Sequence, residues 1–396
     1  SSHPPPAPMR RRHFLSALAA APFAASLSAH ANPSGTGNRL LVLVYTHGGN
    51  DGYNTWVPFT NATYYGARPT IAVPRDAVLK LTDHHGFHPA MRSLVPVWEQ
   101  RELAILQGIG LPDVTQQHFR DTEMAFTASD EGEYTNDGWA TRALTRLAPT
   151  IDIADAVAFD MLDIRETDPM GPFRGNQRPV VQVAHASEWL DKRRLGECAV
   201  DVNDPAKPLL AQRDRTAAPQ MLRTDFPTDQ FGMNARAAVE LAATHPGVRV
   251  IHITLNGHDG DKHHSVDTHW DQLKWQADAL ARLTRGLAAL REGLIEIGRW
   301  DETLVVTYDE FGRSLRENER GGTHHGLAST HFAMGGRVKG GLYGEPTKVI
   351  NLGQIGGPPP SIDTREVWTS VTSRWWGADA SGLFRRKHQP LDFLKA

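Results

Sequence analysis

Apolar runs followed by glycine-rich acidic turns dominate the pattern of this chain. Leu41 to Tyr45 is apolar or aromatic, rich in β-formers, and runs into "THGGNDG". Leu103–Gly110, "LAILQGIG", reads as a short buried strand. So do Val248–Leu255, the run 303–307 and "STHFAMGG". Between them the spacing becomes helical. Met91, Leu94, Val95 and Trp98 follow Pro89, and a further helix begins near Thr115. Leu273, Ala277, Leu280 and Leu283 lie on one predicted apolar stripe. "TREVWTSVTSRWWG" predicts a last helix ending at Gly377. This β-α-β-α order predicts an α/β fold: a doubly wound, mostly parallel sheet with helices on both faces. Residues 150–235 are less regular. "VVQVAHASEWLDKRRL" reads as a strand then a helix, and "DVNDPAKPLLAQRDRTAAPQ" has loop composition. The region is expected to be a cap or insertion within a single domain spanning 38–396.

Composition narrows the chemistry. A net charge of -3 gives no case for a nucleic-acid partner. One cysteine, Cys198, excludes an internal disulfide and any multi-cysteine metal site, whereas there are 19 histidines. Metal binding must then use His, Asp and Glu. The segment from Met9 reads as a signal peptide: a basic stretch, an Ala/Leu-rich run, then Ala29-His30-Ala31 as an A-x-A cleavage site. "RRHFL" resembles a twin-arginine export signal. Residues 1–31 are therefore expected to be leader and upstream extension, and the mature chain to be periplasmic or secreted. The apolar run is too short for a stable membrane span. Oligomeric state is not legible.

Three predicted strands end in acidic turns. The first ends at Asp51. The second runs into "NGHDGDKHH", with Asp259, Asp261, His263 and His264. The third ends in "TYDEFGR", with Asp309 and Glu310, and "GGTHHG" follows with His324 and His325. Ligands in open parallel sheets collect outside the carboxyl ends of the strands. Carboxylates converging there repel one another unless a cation sits among them. Oxygen and imidazole ligands without thiolate suit Zn, Mn, Mg, Ca or Fe. Any one Asp in a glycine turn is more often a turn former; the joint pattern is what points to a metal. "HHSVDTHW", with Asp267 and His269, offers spare ligands.

"VYTHGGNDGYNTWVPF", "QQHFRDTEMAF", "LNGHDG" and "DEFGRSLRENERGGTHHGLASTHFAMGG" resemble the DUF1501 family of exported bacterial proteins. That family is similar to the alkaline phosphatase superfamily, whose α/β fold carries a two-metal centre. The resemblance implies two divalent ions. Asp51, Asp309 and Glu310 would bind one. Asp259, Asp261 or His263, together with His325, would bind the other. Glu310 stands where alkaline phosphatases have His, which favours a harder ion than zinc. Chains of the family more often read Asp-Thr-His in the second turn, and His324 stands where they usually have Asp. The superfamily's nucleophile position falls near Gln117, which cannot form a phosphoryl ester. Thr115 is the only nearby hydroxyl, as nucleophile or helix cap. His118 is a candidate general acid or orienter, and Arg313 a candidate clamp for an anionic substrate. The implied activity is hydrolysis or transfer of phosphate or sulfate esters of an anionic small molecule or glycan. The alternative is a non-catalytic envelope or assembly protein with a structural metal.

Overall fold

Alternation along the first strand builds two cores. In the computed structural model, residues 39–150, 152–160, 171–175, 178–201, 221–256, 266–350 and 356–395 are described, all within one unit spanning Gly37–Ala396. Leu40, Val42 and Val44 point to one face of the sheet and Leu41, Leu43 and Tyr45 to the other. Every residue of this strand is buried. A fully buried leucine contributes about 1.5–3 kcal/mol by leaving water. Leu43→Ala would cost about 2–5 kcal/mol, because the cavity adds to the lost transfer.

Among the described residues the main sheet has ten strands. In chain order they are β1 (Leu40–Thr46), β2 (Leu103–Gly110), β3 (Ala156–Phe159), β4 (Val180–Val183), β5 (Ala199–Asp201), β6 (Val250–Leu255), β7 (Thr303–Tyr308), β8 (Ser329–Met334), β9 (Gly341–Tyr343) and β10 (Ile362–Asp363). Their order across the sheet is β9-β2-β8-β7-β1-β6-β3-β4-β5, with β10 also on β2. β7, β1, β6, β3 and β4 are mutually parallel neighbours. β8 runs antiparallel between β7 and β2, and β5 antiparallel on β4. The sheet is thus mixed and mostly parallel. β3, β4 and β5 come from the region expected to be a cap or insertion; among the described residues that region extends the sheet with strands three or four residues long.

The helices that cover the sheet are α1 (His118–Thr127), α2 (Trp139–Leu144), α3 (Ala186–Lys192), α4 (Gln230–Thr244), α5 (Gln272–Glu296) and α6 (Thr364–Ser370). α4 and α5 pack Phe231, Val239, Leu280 and Leu287 against one face. α1, α2 and α6 pack Phe126, Trp139 and Trp368 against the other. The predicted stripe of α5 is wrong in its first turn. Leu273 is 51% exposed, while Gln272 and Gln276 are buried. The polar pair faces inward because it hydrogen-bonds Asp51 at the end of β1. No helix among the described residues is long and apolar enough to cross a membrane.

Candidate metal centre

The parallel order β7-β1-β6 places three strand ends side by side, and the loops beyond them converge. His118 opens α1. Asp267 and His269 lie between β6 and α5. His325 ends the second arm of a hairpin formed by Arg313–Glu317 and Thr323–His325. One ligand atom from each of these four side chains lies within 4.8 Å of the other three. His269 Nε2 is 2.9 Å from His325 Nε2 and 3.1 Å from Asp267 Oδ1. His118 Nε2 is 3.5 Å from Asp267 Oδ2.

The outer nitrogens decide which lone pairs face inward. His325 Nδ1 lies 2.7 Å from the Gln116 carbonyl. Donating there leaves its Nε2 as an acceptor. Gln116 reaches this position at φ 63, a left-handed conformation uncommon for a side-chain residue. His118 Nδ1 lies 3.0 Å from Glu310 Oε1, so its Nε2 also turns inward. That Nε2 is buried and has no hydrogen-bond partner among the described residues. An imidazole that gives one N–H to a carboxylate or carbonyl and aims the other nitrogen at a shared point is the usual arrangement around a metal ion. The side ring of Phe311 packs on His118 and His325 at centroid distances of 4.9 and 4.3 Å.

Electrostatics agree with a cation-binding cluster. Burial would raise the Asp267 carboxyl, but the Arg313 guanidinium and three histidines hold it far below the usual carboxylate range. Burial would lower His118, but Asp267 and Glu310 push it up to about 9. Without an ion the cluster therefore holds a proton, which a metal ion would displace.

Several expected site residues do other work. Asp51 is fully buried. Its carboxylate pairs with Arg68 at 2.5 and 3.1 Å and accepts from Tyr53 N and Gln272 Nε2. It is committed to these donors rather than aimed at the cluster. Asp309 accepts from Asn50 N at 2.9 Å and faces His331 Nε2 at 2.8 Å. Glu310 accepts from Gly48 N and Tyr45 and contacts His118, so it supports a ligand instead of being one. The harder-ion argument built on Glu310 therefore lapses. Arg313 is buried and donates to Asp267 and to the carbonyls of Gly48 and Gly49. It holds Asp267 in place and is not presented to a substrate. Thr115 Oγ1 donates to Asp121 Oδ1 at 2.8 Å, while Asp121 also accepts from Gln117 N. The threonine thus braces the entry to α1. Asp259, Asp261 and His263 lie outside the described residues. His324 stays outside the cluster, its ring 6.2 Å from that of His269.

The glycine turn after β1 serves packing and hydrogen bonding. A Cβ on Gly49, at φ +76, would stand 2.5 Å from Phe311. Asp267 and His269 were legible only as spare ligands, yet they carry the cluster. The usable signal was Asp267-Thr268-His269, the Asp-Thr-His tripeptide sought earlier in the same loop.

Residues 174–350 match the family model described as "Protein of unknown function (DUF1501)". That span holds every cluster residue except His118. No curated protein matches the chain. Among solved structures, the chain is similar to the lipoteichoic acid synthase LtaP from Listeria monocytogenes. The TM-score is 0.43 at 11% identity, over 91% of this chain and 78% of that one. It is similar to the PsFucS1 sulfatase from Pseudoalteromonas sp., with TM-score 0.42 and 12% identity over 89% and 70% of the two chains. It is also similar to a protein in the alkaline phosphatase superfamily from Vibrio parahaemolyticus, with TM-score 0.41 and 7% identity over 85% and 66%.

Proposed function

We propose that this chain is an exported, metal-dependent enzyme of the DUF1501 family with an alkaline phosphatase-like fold, acting on phosphate or sulfate esters of an anionic small molecule or glycan. The observation that carries this reading is the convergence of His118, Asp267, His269 and His325, with one ligand atom of each within 4.8 Å of the others and the buried His118 Nε2 aimed at Asp267. Three imidazole nitrogens and one carboxylate oxygen suit Zn, Fe or Mn better than Ca or Mg, which take mostly oxygen. When bound, such an ion polarises an ester oxygen and makes water a stronger nucleophile.

The protein groups then have distinct tasks. His118, Asp267, His269 and His325 hold the ion. Glu310 fixes the orientation of His118, and Arg313 that of Asp267. Phe311 keeps two of the rings in place and excludes water behind them. Thr115 is read as a bracing hydroxyl because its Oγ1 and its backbone N both donate to Asp121 Oδ1 at the entry to α1. The reaction is therefore read as direct hydrolysis: the water oxygen bonds to phosphorus or sulfur, and the alcohol leaves after taking a proton. The engaged threonine also favours a second reading, a non-catalytic envelope protein with a structural ion.

The test is elemental analysis of wild type and His269→Ala, followed by assays on aryl phosphates and sulfates with and without added ion. Bound metal and metal-dependent hydrolysis, both lost in His269→Ala, support the enzyme. Bound metal that only raises the melting temperature, with no ester turned over, moves the assignment to the second reading. Absence of metal sinks both.

A further inference from the structure

We propose that Asp51, Asp309 and Glu310 hold no second ion, and that the Arg68 guanidinium stands where its positive charge would be needed. This rests on the reading of the four-residue cluster as the place of the first ion. The second ion implied by the resemblance needs Asp51, Asp309 and Glu310, and the geometry around them does not fit one.

A carboxylate offers about four lone-pair sites. Asp51 meets four donors: Arg68 Nη1, Arg68 Nη2, Tyr53 N and Gln272 Nε2. The arginine is equally spent. Its five N–H groups reach Asp51 twice, Asn54 Oδ1 at 2.7 Å, Ser314 O at 2.9 Å and Leu315 O at 2.6 Å. Its guanidinium carbon lies 5.2 and 5.6 Å from the ring centres of Tyr53 and Tyr64, within cation–π range. Arg68 is 0% exposed, so it cannot swing into water to admit an ion. Asp267 also pairs with a buried arginine, so what closes Asp51 to a metal is the four donors that fill its acceptor sites. Asp309 faces Asn50 N and His331 Nε2, and Glu310 faces Gly48 N, Tyr45 and His118; with Asp51 filled, that expected set loses its third ligand.

The pair also has a positioning task. Gln272 Nε2 rests on Asp51, and Gln272 Oε1 accepts from Thr268 at 3.1 Å and Thr323 at 2.8 Å. Thr268 lies between Asp267 and His269, two residues of the cluster. Arg68 and Asp51 thus fix the loop that presents the ion's ligands without touching the ion.

Native mass spectrometry and elemental analysis of the full chain, titrated with Zn and with Mn, test this. One ion per chain is expected in wild type. Asp51→Asn, which keeps the side-chain shape, should still saturate at one ion, with affinity weakened less than about tenfold. His269→Ala should bind none. Two ions in wild type, one of them lost in Asp51→Asn, would overturn the inference while leaving a metal enzyme in place. No ion at all overturns it together with the metal reading. One ion without ester hydrolysis leaves the inference standing and removes the proposed activity. The wild-type count stands even where a variant fails to fold. Charge-paired function has its own readout: Asp51→Asn combined with Arg68→Met should lower the melting temperature less than the sum of the two single changes.

Discussion

Two carboxylates beyond neighbouring strands each meet a buried arginine, and among the described residues only one belongs to the His/Asp cluster that could hold a metal ion. Around Asp51 every acceptor site is met by a protein donor, and every donor of Arg68 is used. Around Asp267 the arginine takes one oxygen and three imidazoles crowd the rest, one with its Nε2 unbonded. The difference lies in what surrounds each acid: donors alone around Asp51, three imidazoles around Asp267. An acid beyond a parallel strand is placed to act as a ligand when folding brings further ligand groups to the same point. The first environment is closed and stabilises. The second is incomplete without a cation or a proton.

Breaking the closed pair should have the largest effect. Asp51→Ala leaves Arg68 charged and buried without its partner, which costs about 3–5 kcal/mol. Urea unfolding measures this, and a loss under 1 kcal/mol would show that Asp51 is not the counter-ion on which Arg68 depends.

The open cluster is sharpened by Glu310→Gln. Removing a carboxylate behind a metal-binding histidine typically weakens metal affinity by about 10–100-fold. Competition with a chelator of known affinity reads this directly. Complete loss of binding would return Glu310 to the ligand set; no change would remove it from the support of His118.

Charge on buried histidines gives a smaller, graded contrast. His118 is driven up by its acids, whereas burial lowers His88 to about 4 and His252 to about 3. The unfolded forms titrate near 6.5. As pH falls below 6.5 the unfolded chain takes up protons that folded His88 and His252 refuse, so their contribution lowers stability down to about pH 4 and 3 respectively. Each adds a slope of about 1.4 kcal/mol per pH unit in that window. His252→Leu should reduce the acid slope by that amount between pH 6 and pH 4, at equal metal loading. An unaltered slope would mean that His252 is already protonated in the fold.

The smallest effect is expected at Thr115. Thr115→Val removes one hydrogen bond to Asp121 and should cost about 1–2 kcal/mol in urea unfolding. Metal content should stay unchanged, and ester turnover should stay within about twofold of wild type. A far larger loss of turnover would make Thr115 the missing nucleophile and overturn direct hydrolysis.

The sequence by itself determined the sheet's centre and the family resemblance. β1, β2, β6 and β7 are apolar runs whose alternation or continuity fixes strand and burial locally. His325 was expected as a ligand from its motif, whereas His118 was expected only as a general acid or orienter at the helix start. Of the outer strands, β4 and the helix after it were read from "VVQVAHASEWLDKRRL", whereas β3 and β5 were not, because three or four residues do not establish a period. Nor was the choice of ligands. The segment after β6 holds six or more acids and histidines, and spacing cannot say which of them reaches a point shared with α1 and the hairpin. Among the described residues, the tertiary structure brings Arg68 to Asp51, across 17 residues, and His118 and His325 to Asp267. Donors and acceptors cancel or accumulate in space, not along the chain. A carboxylate's role is therefore set by the partners that folding delivers to it.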